Sequence, residues 1–127
     1  MDDKEFEEAP YACRGVRRSL EEFLMGGVDG LIPQGWLVQN FRDKLGMPLE
    51  NVLGKVRLLE NLIEKRDLAS IEGLNPPIDE LVNYYDNLIG LVQSNDERSK
   101  RNKKSLNTIL SWRNAAGQLA QFVCRIE

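Results

Sequence analysis

The chain predicts an all-α fold, a compact single-domain bundle of about five helices, and three observations carry that expectation. Apolar residues recur at i, i+3, i+4 and i+7 through several windows of helical length. No segment alternates with period two for long enough to compete as a strand, and β-branched clusters bounded by turns are absent. No internal repeat of about 34 to 47 residues is visible, which disfavours a helical solenoid. At 127 residues, 42% hydrophobic and 29% charged, the chain has the size and composition of one globular domain that folds without a metal or disulfide.

Residues 1–9 are strongly acidic and read as a flexible N-terminal tail, leaving 10–127 as the helical domain. Pro10 is expected to open the first helix, where its missing N–H costs nothing, and Gly26 and Gly27 to stop it. Cys13, Val16, Leu20, Phe23 and Leu24 form the inward stripe. On the outer face, Arg17 with Glu21 and Arg18 with Glu22 are spaced to pair at i, i+4. The stretch GGVDGLIPQG is a loop, and it lacks the Lys and Ser/Thr that a phosphate-binding Walker motif requires.

A short helix follows from about Pro33 or Trp36 to Leu45, with Leu37, Val38, Phe41 and Leu45 inward and Trp36 opposite them. After Gly46 and Met47, Pro48 should occupy the first helical position of the best-patterned element, Pro48 to Lys65. Leu49, Val52, Leu53, Val56, Leu59 and Ile63 share one face there. Leu58 points almost the other way and Leu62 lies to the side. That second apolar direction makes this helix either the sandwiched centre of the packing or the carrier of an interface. The pattern then fades, with Leu68, Ile71 and Leu74 expected to plug the bundle end.

Asn75 reads as an N-cap ahead of Pro76 and Pro77. From Ile78 to Val92 the stripe is clean, and Tyr84 and Leu91 widen its shoulder. The segment 94–105 has no apolar side chain and is a basic connector or helix start. From Leu106 to Ile126 the apolar face is broad, and Ala115, Ala116, Gly117 and Ala120 permit close helix approach.

Chemistry is sparse. The chain contains no histidine, which removes histidine-assisted nucleophiles, histidine metal sites and histidine pH switching. Cys13 and Cys124 are too distant in sequence for a CxxC pair and read as buried thiols, with a disulfide between the first and last helices as the alternative. Asp79, Asn83 and Asp86 share a polar helix face without an ion-binding loop. No catalytic, cofactor-binding or metal-binding residue is assigned, and no small-molecule ligand is inferred.

The helical pair around Gly46 has helix-turn-helix lengths, but Glu50 would meet the phosphates, leaving Asn51 and Lys55 as useful contacts. The stretch LLENLIEKRDL is similar to death-fold helices ending in a charged x-D-L, although too few residues precede it for that fold's helix count. The expected function is a non-enzymatic helical protein–protein interaction module, an adaptor or assembly subunit able to self-associate. Its expected interface residues are Trp36, Leu58, Leu62, Tyr84 and Leu91. The alternative is nucleic-acid binding, with Arg98, Lys100, Arg101, Lys103 and Lys104 meeting phosphates or an acidic partner. Arg14, Arg17 and Arg18 would add contacts. No secretory signal, glycosylation sequon or membrane-length apolar run is present, so an intracellular, cytoplasmic location is expected. Lys100 to Lys104 resemble an import signal that would add the nucleus.

Overall fold

A computed structural model of the chain describes residues 3–28, 32–94 and 103–126. Among them are six helices: α1 (Asp3–Gly26), α2 (Gln34–Leu45), α3 (Leu49–Glu64), α4 (Leu68–Leu74), α5 (Ile78–Gln93) and α6 (Lys103–Ile126). The fold is all-α, and the helix beyond the expected five is the short α4. No described helix is long and apolar enough to cross a membrane.

The hub is α1 rather than α3. It packs along α3 on one side and α6 on the other and also touches α2, while α3 and α6 do not meet. Both long neighbours run antiparallel to it: Arg17 meets Glu60 while the later Glu21 meets the earlier Arg57 of α3, and Phe6 meets Phe122 while the later Phe23 meets the earlier Trp112 of α6. α5 packs along α6 and reaches α2, and α4 bridges α3 and α6. The face of α3 read from the sequence is the one it buries: Leu49, Val52, Leu53, Val56, Leu59 and Ile63. Each such side chain contributes about 1.5 to 3 kcal/mol of transfer free energy.

The N-terminus departs from expectation. Helix α1 begins at Asp3, so the described part of the expected flexible tail is its first two turns and Pro10 lies inside the helix. An interior proline removes one helical hydrogen bond and costs roughly 3 kcal/mol. Tertiary anchoring offsets that cost. The Phe6 ring stands edge-on to Phe122 at 5.5 Å, the Arg66 guanidinium lies 5.1 Å over the Phe6 ring, Glu5 pairs with Arg125, and Ala9 is buried.

Glycines and prolines set the connections, with two shifts from the sequence reading. After α1, Gly27 turns into the left-handed region (φ 71°), and an added Cβ would lie 2.4 Å from the Ile32 carbonyl oxygen. Only glycine fits there, and Val28 and Ile32 then exchange backbone hydrogen bonds of 3.0 and 2.9 Å. Gly46 closes α2 with φ 76°, its N–H donating to Arg42 O. Pro48 is the N-cap of α3, one position earlier than expected, and its carbonyl accepts from Asn51 and Val52. Asn75 is not an N-cap. It ends α4 in the left-handed conformation, and Pro77 precedes α5 instead. The reason is that α4 needs a left-handed terminator, a role asparagine fills better than other non-glycine residues. Of the expected basic connector, 95–102 lies outside the described residues, and 103–105 opens α6.

Candidate interaction surface

The five expected interface residues divide. Leu58 and Trp36 are each 46% exposed and Leu91 is 52% exposed, on α3, α2 and α5 respectively. Leu58 stands among exposed Gly54, Arg57 and Asn61, as an isolated apolar residue on a polar face. Leu62 is half-buried and packs against the core. Tyr84 is a correction: only 1% exposed, it belongs to the core. Its ring meets Phe41 edge-on at 5.0 Å and its hydroxyl donates to Asn40 Oδ1 at 2.9 Å. α2 covers the shoulder that the helical wheel left open, and burial there pushes the phenol pKa up.

The basic candidates divide too. Arg98, Lys100 and Arg101 lie outside the described residues, while Lys103 and Lys104 are exposed on the first turn of α6. Arg14 and Arg17 are committed elsewhere. Arg17 donates to Glu60 Oε2 at 2.7 Å and Glu21 Oε1 at 2.6 Å, and Arg14 lies 3.8 Å from Glu60. Arg57 reaches Glu21 from α3 at 3.8 Å. These hydrogen bonds raise the Arg17 pKa and lace α1 to α3, leaving little of this cluster for phosphate.

Three buried side chains among the described residues carry a thiol or hydroxyl next to a partner: Cys13, Ser19 and Tyr85. Cys13 is buried beside the Val56 carbonyl, and desolvation, aided by the Glu60 charge, pushes its thiol up to about 12. It is protonated and inert at neutral pH. Ser19 and Tyr85 are hydrogen-bonded in the core, and Ser19 Oγ also donates to Val16 O at 2.7 Å. Since Ser19 has one proton and gives it to Val16, the Tyr85 hydroxyl is the donor in the pair. Neither group has a base beside it. No cluster of His, Cys, Asp and Glu able to hold a metal occurs among the described residues.

The other side of α1 is different. Gly15 lets α1 approach α6 closely: an added Cβ would stand 3.0 Å from Ala115 Cβ. Phe23 edge-on to Trp112, at 5.5 Å, continues this apolar seam. Along its outer side lie three clefts. One is framed by Glu8, Tyr11, Gln121 and Arg125, one by Tyr11, Leu110, Asn114 and Gln118, and one by Glu22, Met25, Ser105 and Thr108.

From Ser105 to Cys124 the only charged residue of α6 is Arg113, and it pairs with Asp86 of α5 at 3.0 Å, away from this seam. The outward face is therefore amides and hydroxyls, with Leu110 36% exposed among them. On the α1 wall Tyr11 is 72% and Met25 85% exposed. Ordinary surface helices are charged, whereas the centre of a protein interface is depleted in charge and enriched in Tyr and Met. Sequence reasoning looked for surplus apolar residues and passed over this face, whose signal is missing charge. Comparison with known proteins finds no match, whether to a family, a curated protein or a solved structure. Any functional reading therefore starts from the chain's own surface.

Proposed function

We propose that this chain is a non-enzymatic helical interaction module, an adaptor or assembly subunit, whose contact surface is the outer side of the α1–α6 seam. The observation that carries the reading is the uncharged outward face of α6 beside exposed Tyr11 and Met25, in a chain of which 29% is charged. Leu58, Trp36 and Leu91, one to a helix and on different helices, are the kind of scattered apolar exposure that ordinary surfaces tolerate. The hydroxyl–carboxylate pair of Ser70 and Asp67, 2.7 Å apart, is the exposed N-cap of α4, and no third group among the described residues orients it, which supports binding over catalysis.

Position-specific photo-crosslinking tests the reading. A photoreactive residue in place of Leu110 should give a defined protein adduct, in purified protein or in cells, whereas the same residue in place of Leu58 should give little. Equal labelling at both positions, or none at 110, would sink the proposal.

A further inference from the structure

We infer that the partner of the α1–α6 face is a second copy of this chain, joined by a twofold axis parallel to the helices into an intermolecular four-helix bundle. The inference rests on the interaction-module reading and adds the identity and geometry of the partner.

Three observations support it. The first is area. Helices α1 and α6 are 24 residues each, the longest in the described chain, and lie side by side. At 1.5 Å per residue and a 9 Å spacing, they present a face of roughly 36 by 18 Å, about 650 Å². Two such faces bury about 1,300 Å², within the range of stable specific interfaces.

The second is periodicity. On α6 the outward residues Lys104, Asn107, Ser111, Asn114, Gln118, Gln121 and Arg125 keep the alternating three and four spacing of a helix seam. On α1, Glu8, Tyr11, Gly15, Arg18, Glu22 and Met25 keep it as well. Each helix thus offers one straight stripe along most of its length. A partner matching both would itself carry two long parallel stripes, as a second copy does.

The third is the sign and height of the charges. Gly15 faces Ala115 near the middle of both helices. The acids of α1 lie on either side of that level, at Glu8 and Glu22, and the bases of α6 lie at Arg125 and Lys104. A twofold parallel to the helices puts the partner's α1 over α6 without changing height. Lys104 then meets the partner's Glu22, and Arg18 lies against the partner's amides. Arg125, which pairs with Glu5 of its own chain and stays more than half exposed, comes level with the partner's Glu8, itself 4.0 Å from its own Lys4. A twofold perpendicular to the helices would set Glu8 on the partner's Glu22 and Lys104 on the partner's Arg125. Like charges opposed in this way are disfavoured, so the charge pattern selects the parallel axis.

Sedimentation of the full chain over a concentration series tests this, with circular dichroism to verify that each variant folds. The wild type should be dimeric. Glu22→Lys and Lys104→Glu should each weaken the dimer about tenfold, and the double charge swap should recover most of that loss. Leu110→Glu, beside the α6 stripe in the cleft shared with Tyr11, should give monomer. A dimer indifferent to all three substitutions, or a chain that stays monomeric throughout the series, would overturn the inference. In the monomeric case the adduct at position 110 separates the two claims: one of another mass spares the interaction-module reading, and its absence removes that reading too.

Discussion

The two long seams of α1 are built from opposite materials. Toward α3, the helix is laced from outside by Arg14, Arg17 and Glu21 meeting Glu60 and Arg57. Toward α6, the close approach is made by the absence of a side chain at Gly15 and by the edge-on Phe23 and Trp112, with an outer α6 wall that carries no charge from Ser105 to Cys124 apart from Arg113. Charge across a seam orients its helices and keeps that edge hydrated. A seam closed from inside by small and aromatic residues leaves its outer edge available to a partner.

Substitutions on each side should separate these roles. The largest effect is expected from Phe23→Ala, which empties a fully buried site shared by Tyr85 and Trp112. It should lower unfolding free energy by about 3 to 5 kcal/mol in denaturant titration. High pH should act next, on the α3 side. The Cys13 thiol, ordinarily titrating near 9.0, is raised to about 12, so its contribution is complete below pH 9 and is lost as the pH rises toward 12, where the unfolded thiol ionises first. Cys13→Ala should flatten the alkaline limb of the stability curve, and an unchanged limb would contradict the assignment.

Gly15→Val should cost about 1 to 3 kcal/mol by forcing a branched side chain against Ala115. Glu60→Gln should cost about 1 kcal/mol, since its bonds to Arg17 are partly open to water, and the loss should shrink in high salt. Gly54→Ala should be the mildest and of opposite sign. No atom lies within 4 Å of the added methyl, so α3 should gain about 0.5 to 1 kcal/mol of helix propensity.

The helical class and the buried face of α3 were legible because aliphatic side chains at a regular spacing leave few alternatives. The centrality of α1 was harder to see. Much of its packing face is Ala12, Cys13, Gly15 and Ser19, residues that hydropathy weights lightly but that let neighbours approach. Tyr84 was misplaced for a different reason: a wheel shows which way a side chain points, and only the position of Phe41 shows what covers it. The α1–α6 face escaped because it is defined by what α6 lacks from Ser105 to Cys124, apart from Arg113. A search for the longest charge-poor helical face would have found it.

Pro10 gives the first turns of α1 an unusual thermodynamic independence. Having no N–H, it leaves the Phe6 carbonyl without its usual helical donor, so residues 3–9 are tied to the rest of α1 by a weakened ladder. What holds them is the end of the molecule where Phe6 meets Phe122 and Arg66. This short segment should therefore open as its own cooperative unit. Its amide exchange would report the docking of the C-terminal end of α6 and the α3–α4 turn more faithfully than it reports the helix to which it belongs.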